Sequence, residues 1–399
     1  MNALNRRDFC ILSSSGLLAA MAPTGLMAAG TPPAGKKGRT DLEYVMIAEG
    51  TEKHPRNDSA SIIELDDGRL FMVWLEFLQT ERAGHDEGLN RISSMISDDG
   101  GRTWKRKRVE LETAPGDMSV YNPSLLKLAN GEILFSYIRY HRLEWGAPYD
   151  MSGYLKRSRD GAETFGDPVT IWSHQPIGPA NDRMIQLKSG RVVQAVERVP
   201  GLRGQKSAIE SGCFFSDDNG HTWTLSDTFV RLPLRGSMEG IIAETKDQRL
   251  LMAVRNQLGS VFLSESRDGG KNWSKAQTSG LRGGESMPVL RRIPSTGDLV
   301  LIWNNSEYDP YSGTHFGLRS PLTVALSIDG GRTWKQRAHI ETDPTYEFSN
   351  PSCLFTRDGG MIITYFVSKM LDPEPPRKFG RSSMSLKACI TSVDWLYSD

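Results

Sequence analysis

Short apolar runs folded about a polar turn recur along most of the chain. The turns centre on Asp67-Gly68, Asn130-Gly131, Ser189-Gly190, Asp247-Gln248, Thr296-Gly297 and Asp358-Gly359, within residues 58–74, 122–137, 181–196, 239–254, 286–303 and 350–365. The flanks are rich in Val, Ile, Leu, Phe, Tyr and Trp, so each stretch predicts a β-hairpin. The fourth is the weakest, because its turn lacks a Gly.

A second pattern interleaves with the first. Ser-x-Asp-x-Gly-x-Thr-Trp starts at Ser97, Ser158, Ser216, Ser266 and Ser327, with Ala162 replacing Gly, Phe165 replacing Trp and Asn272 replacing Thr in single copies. An Asp can accept hydrogen bonds from turn N–H groups and Gly supplies positive φ, so these are structural turns and their carboxylates are not catalytic acids. Such repetition identifies a modular architecture.

Six hairpins with five such turns predict an all-β fold: a six-bladed β-propeller with four antiparallel strands per blade. If residues 42–48 pair with residues 385–392, the last blade is closed by an N-terminal strand and has no third-to-fourth-strand turn of its own. That closure accounts for the missing sixth copy and leaves only short edges.

Composition narrows the function. The 399 residues carry 48 Lys+Arg against 48 Asp+Glu, which removes the electrostatic footprint of a nucleic-acid binder. The 38% hydrophobic content suffices for a large core. Of four cysteines, Cys10 lies near the start, and Cys213, Cys353 and Cys389 cannot all pair, so no disulfide framework is expected. The seven His are scattered, no Cys pair has ligand spacing, and no Gly-rich loop opens a helix. No metal and no cofactor are expected.

Residues 1–30 combine Arg6-Arg7 and Phe9 with an apolar stretch ending in small residues, like a twin-arginine export signal. The apolar run falls short of the ~20 residues of a membrane span. The expected organisation is a signal over 1–30, a linker over 31–41 and a propeller over 42–399, giving a periplasmic or secreted monomer.

In a propeller the residues just before the innermost strands ring one mouth of the central channel. Here they are Arg56, Tyr121, Asn122, Asn181, Asp182, Arg183, Glu239, Glu285, Ser286, Ser349 and Asn350. So much polarity exceeds what a plain structural rim needs and suits an anionic sugar. Asn122, Asn181 and Asn350 are substrate-binding candidates.

With this layout, residues 42–399 resemble the sialidase superfamily, six-bladed propellers with Asp-box repeats. The resemblance implies three substrate-carboxylate arginines: Arg56 in His54-Pro55-Arg56-Asn57-Asp58, Arg255 at the end of a strand that follows Glu239, and Arg319 before the last Asp box. Guanidinium forks bind a carboxylate bidentately and keep their charge. It also implies that Glu239 is an activating base and Asp86 the general acid, with His85 and Glu87 beside it. Such an acid needs a raised pKa. One departure stands out. Sialidases open the sixth blade with a nucleophilic Tyr, whose neutral phenol avoids the repulsion between a carboxylate and the anionic sugar; here Asn350 falls at that position. Tyr346 is the nearest alternative nucleophile, with Tyr308 and Tyr311 further away.

The expected activity is therefore an exo-glycosidase acting on a terminal sialic, related nonulosonic or uronic acid. Without a Tyr, an inverting route through activated water is open. A uronic-acid lyase using His85, Tyr121, His315 or Tyr346 for proton transfer, and a glycan-binding propeller without turnover, are the alternatives. His141, Trp145, Trp303 and Asn305 could line the pocket, although packing roles suit both tryptophans better. Pro373–Pro376 is expected in an exposed loop.

Overall fold

A computed structural model describes residues 42–80, 86, 88–142, 146–202, 208–309, 311, 315–371 and 383–398. The proposed leader and linker, His85, Glu87, Trp145 and the 373–376 segment lie outside these residues. Six antiparallel sheets follow one another around a ring. Blade 1 comprises Arg56–Glu64, Leu70–Phe77, Asn90–Ser97 and Lys105–Glu112; blade 2, Ser119–Lys127, Ile133–Arg142, Asp150–Ser158 and Val169–Gln175. Blade 4 comprises Met238–Glu244, Leu250–Arg255, Ser260–Ser266 and Gln277–Arg282; blade 5, Val289–Arg292, Leu299–Asn304, Leu322–Ser327 and Lys335–Glu341. Blade 6 takes Tyr346–Phe355, Gly360–Lys369 and Ser385–Ser392, and its outer strand is Glu43–Ala48, antiparallel to Ser385–Ser392 with Glu43 opposite Ile390. The expected closure by an N-terminal strand is present.

Blade 3 is irregular. Its inner strand is broken into Ile177–Gly178 and Met184–Gln186, both paired with Val192–Arg198, followed by Glu210–Ser216 and a two-residue outer strand, Thr224–Leu225. Residues 179–183 form the break and carry Asn181, Asp182 and Arg183.

Burial explains why the inner strands read as continuous apolar runs. Blades pack face to face, so both faces of Leu70–Phe77 and Leu299–Asn304 are covered, whereas the outer strand Lys105–Glu112 is largely exposed. Fully buried side chains such as Phe71 and Trp74 each stabilise the fold by about 1.5–3 kcal/mol. The cysteines Cys213, Cys353 and Cys389 are free and buried. Among the described residues no helix is long and apolar enough to cross a membrane.

The Ser-x-Asp turns have the expected structural role. In blade 1, Asp99 Oδ1 accepts from Ser97 Oγ (2.8 Å) and Thr103 N (2.9 Å), Ser97 Oγ accepts from Gly101 N (2.8 Å), and Trp104 Nε1 donates to Gly101 O (2.9 Å). The Thr103 hydroxyl and N–H hold the Asp99 carboxyl down at about 2. Gly100 and Gly101 take φ of 72° and 93°.

A feature absent from the hairpin pattern sits at the start of the inner strands. Ser59, Asn122, Glu239 and Asn350 have φ of 55°, 53°, 46° and 51°, each at a break in register with the second strand, and Asp182 has φ of 59° in blade 3. A bulge with one left-handed residue re-aims side chains at a strand end.

On the axis, polar groups fill the channel. Asp182 accepts from Ser61 Oγ of blade 1 (2.9 Å) and from Arg291 Nη2 of blade 5. Arg183 is 1% exposed and donates to Asn181 O (2.9 Å), Glu239 O (3.3 Å) and Pro288 O (3.4 Å). Burial, then the like charge of Arg291, lowers the Arg183 guanidinium to about 10.

Replacing Asp182 with Ala strands Arg291 in the channel, and breaking such a buried pair costs about 3–5 kcal/mol. Urea unfolding of Asp182→Ala is expected to show that loss, with a smaller one for Asp182→Asn, which keeps an acceptor for Ser61. A loss no greater than that of an exposed-site substitution would show that the axis is held by other contacts.

Candidate active site

The mouth is built where the first strands of the blades begin and the second strands end. On the blade 1 side Arg56 opens the first strand and is 5% exposed. Its Nε and Nη2 donate to Asp58 Oδ2 (3.0 and 2.8 Å), Nη1 donates to Asp86 Oδ1 (2.9 Å), and Nη2 donates to Tyr121 Oη (3.0 Å). The Tyr121 hydroxyl in turn donates to Asp86 Oδ1 (3.0 Å). Burial works to lower the Arg56 pKa, but Asp58, Tyr121 and Asp86 together hold it well above its ordinary value. The guanidinium lies 4.3 Å over the Phe77 ring, and Phe77, Tyr121 and Tyr140 follow one another edge to face at 6.0 and 5.6 Å. Burial pushes the Tyr121 hydroxyl well up, so it stays protonated.

The opposite side is anchored on Glu239, the left-handed residue of blade 4. Holding a Glu at positive φ costs about 1–3 kcal/mol and persists only where surrounding contacts fix it. Those contacts are present. Arg255, ending the second strand, donates from Nη1 to both Glu239 oxygens (3.1 and 3.0 Å) and from Nη2 to Glu285 Oε1 (3.0 Å). Glu285, 1% exposed, also accepts from Arg235 Nη1 (2.7 Å) and Gln257 Nε2 (2.7 Å). His315 Nδ1 lies 3.5 Å from Arg255 Nη2. Burial works to raise the Glu239 carboxyl, yet Arg255, with Arg319 and Arg183 beyond it, outweighs burial and keeps Glu239 below its ordinary range.

Glu197, at the end of the second strand of blade 3, accepts the Glu239 N–H at 2.8 Å. Burial, then the Glu239 charge, pushes its carboxyl up to about 7. Two carboxyls this close do not ionise together easily, and the guanidinium contacts assign the charge to Glu239. Burial likewise raises the Tyr140 hydroxyl, with further contributions from Tyr149, Glu197, Asp86 and Glu239. A blade 2 phenol thus feels carboxylates from blades 1, 3 and 4.

The three arginines singled out from the sequence are buried or nearly so. Arg255 and Arg319 both act on Glu239, and Arg56 holds Asp86. The three asparagines serve a different geometry. Asn122 Nδ2 donates to Pro179 O (2.6 Å), tying blade 2 to blade 3, and Asn181 Nδ2 donates to Ala60 O (2.8 Å), tying blade 3 to blade 1. Asn350 Nδ2 donates to Ser59 Oγ (3.2 Å) and Asp58 Oδ2 (3.3 Å), so much of the rim polarity has a structural cause. Tyr346 stacks on Phe348 with centroids 6.2 Å apart, packs against the core, and among the described residues makes no hydrogen bond to Glu239. Tyr308 and Tyr311 are exposed, and Tyr308 stacks on Phe316 at 5.7 Å. Trp303 is buried with Nε1 donating to Arg282 O (2.8 Å), a packing role. Sequence reasoning missed Glu197, Asp58, Tyr140, Tyr149 and Arg235. All except Asp58 lie outside the inner-strand starts from which the rim was read, and only the ends of second strands could have pointed to Glu197 and Tyr140.

Chemically, the mouth offers fixed cations to an anionic ligand, an ionised carboxylate in Glu239, a proton-holding carboxyl in Glu197, and a solvent-facing carboxylate in Asp86, whose side chain is 69% exposed.

A family model described as a BNR repeat-like domain matches residues 68–363. The chain is 25% identical over 318 residues to a sialidase of Bacteroides fragilis, covering 71% of this chain and 54% of that protein, so it spans about half the length of this relative. A mutant of Trypanosoma rangeli sialidase displaying trans-sialidase activity superposes with a TM-score of 0.67 at 13% identity, over 89% of this chain and 59% of that one. A Hadza microbial sialidase gives 0.66 at 17% identity, over 88% and 68%. A Dyadobacter fermentans protein of unknown function gives 0.65 at 18%, over 88% and 99%. At these identities the solved structures share the fold with this chain.

The Glu197 shift predicts a pH dependence of stability. Its folded-state pKa near 7 exceeds the ordinary 4.5, so the stability is fully present below 4.5 and is lost as pH rises through about 7. Glu239, shifted the other way, acts below that window. The groups facing Glu197 are Glu239, Arg255 and Arg235. Chemical denaturation between about pH 5 and 8 is expected to show a loss on the order of 2 kcal/mol that Glu197→Gln removes. Equal pH profiles for the two proteins would refute the shift.

Proposed function

The chain belongs to the BNR repeat-like domain family, and on that premise we propose that it is a glycoside hydrolase of sialidase type, exported from the cell, that releases a terminal acidic sugar. The observation that carries this reading is Arg255, gripping Glu239 and Glu285 while Arg319 acts on the same Glu239, with Arg56 holding Asp86 at the start of blade 1. Cations fixed by buried carboxylates need little reorganisation to receive a sugar carboxylate, and such preorganisation favours charge developing at the bond being cleaved. The similarity to sialidases supports the reaction class, and the Arg6-Arg7 leader supports export.

The chemistry then divides between the two sides. Asp86, at the exposed lip, takes up a proton from solvent once the sugar carboxylate engages Arg56 in its place, and passes that proton to the departing oxygen as the leaving group exits. Glu239 is ionised and takes the proton of the attacking water. Asn350 cannot form the covalent intermediate of a phenol, and Tyr346 is engaged with Phe348. The reading is therefore single displacement by water with inversion at the anomeric carbon. Glu197, holding its proton up to about pH 7, keeps a second negative charge away from the anionic sugar.

The test is a panel of sialosides, other nonulosonic acids and uronate-capped glycans, with the anomer of the released sugar read by NMR. Release with inversion is expected, and Glu239→Gln should lower kcat by about 10²–10⁴-fold. Retention would overturn the water route. Saturable binding of an acidic sugar without release would favour a glycan-binding propeller, the reading that Asn350 supports. Formation of an unsaturated product would indicate a lyase.

A further inference from the structure

Outside the mouth residues, three side chains with metal-ligating atoms converge at one end of blade 2. His141 lies near the end of its second strand, Asp150 begins the third and His174 lies near the end of the fourth. One donor atom from each falls within 4.8 Å of the other two. His174 Nδ1 is 2.8 Å from Asp150 Oδ1, and the two imidazole rings stack with centroids 4.5 Å apart.

The surroundings of His141 fix which nitrogen it can offer. Asp117, acceptor-only when ionised, lies 2.6 Å from His141 Nδ1 and accepts a hydrogen bond from its N–H in the tautomer that leaves Nε2 unprotonated. The Nε2 lone pair is therefore turned toward Ser152 Oγ, 2.8 Å away, whose oxygen also accepts from His174 N at 3.0 Å. A carboxylate behind one ring nitrogen, with the other presented to a cluster of donors, is the outer-shell arrangement that orients metal-binding histidines. Asp117 Oδ2 is buried with no hydrogen-bond partner and lies 3.7 Å from Arg139 Nη1, so this carboxylate is held between the imidazole and a guanidinium.

Two further features bring the second imidazole in. His174 has φ of 50° beside breaks in the register between the third and fourth strands, and this turns its ring onto His141. Its side chain is 65% exposed, so it can swing from the stack until its lone pair faces the same point. Two imidazoles and one carboxylate form the ligand set of open tetrahedral zinc sites, with water as the fourth ligand. Magnesium and calcium prefer oxygen-only shells.

We propose that His141, Asp150 and His174 form a zinc-binding site at the mouth-facing end of blade 2, with Asp117 orienting His141. The ion would tie the three outer strands of the blade together beside Tyr140 and Tyr149. The sequence hid this site because each ligand sits on a different strand, so no short motif contains any two of them.

The experiment uses the full chain, stripped with a chelator and titrated with zinc chloride by calorimetry. Saturable binding of one zinc per chain is expected, weakened by at least about 10-fold in His174→Ala and in Asp150→Asn. Asp117→Asn, which touches no ion, should cost about 10–100-fold. His174 and Asp150 lie at the surface end of the blade, and circular dichroism checks that these variants stay folded. No saturable binding, or unchanged binding in His174→Ala, would overturn the site and leave the cluster as proton-sharing ion pairs. This readout is binding, so its failure is separate from any failure of the glycosidase reading.

Discussion

A ring of six sheets must fill its own axis, and in this protein the filling is charged. Asp182 joins blade 1 through Ser61 to blade 5 through Arg291, while Arg183 holds carbonyls of blades 3, 4 and 5. Burying such groups is costly unless each is paired, and apolar side chains of similar size would fill the channel as stably. What charge adds here is position. Arg183 bonds the Glu239 carbonyl, so the plug that closes the channel also fixes the left-handed residue on which one side of the mouth is built.

The same economy runs through the bulges at the inner strand starts. Asn and Asp tolerate left-handed backbone, which explains Asn122, Asp182 and Asn350. Ser59 and Glu239 are less suited to it. At Glu239 the strain is maintained by Arg255 on the side chain, Arg183 on the carbonyl and Glu197 on the N–H. Every polar group of that residue is thus engaged, so its carboxylate is held in place before any ligand arrives.

The fold was legible because its signals are local and repeated. Turn residues such as Asp99 and Gly101 act within one turn, and apolar runs such as Leu70–Phe77 report burial on both faces directly. The closing strand could be inferred because one copy of the turn was missing. Arg56, Arg255 and Arg319 were legible through their register with a known pattern. Glu197 and Arg235 were not, since their importance lies in contacts to Glu239 and Glu285 that no spacing encodes. The break in blade 3 was also unreadable: residues 181–196 look like an ordinary hairpin, yet the segment at 179–183 leaves the sheet to reach the axis. Polarity at Asn122 and Asn181 pointed toward a ligand, but their amides tie blade 2 to blade 3 and blade 3 to blade 1.

Asn350 ties the start of blade 6 to blade 1. Its amide spans to Ser59 and Asp58, and Asp58 also receives two donors from Arg56. A phenol at that position would be too long to make the same short tie between blades 6 and 1. Asn350 therefore reinforces the carboxylate that orients Arg56, and in the proposed reaction it leaves attack to water. With Arg56 held firmly, Asp86 and Tyr121 are aligned as well, and in the proposed reaction this stiffens the proton-transfer side. That combination suits attack by water, which needs an ordered acid and an ionised base more than it needs a group on the protein to bond with.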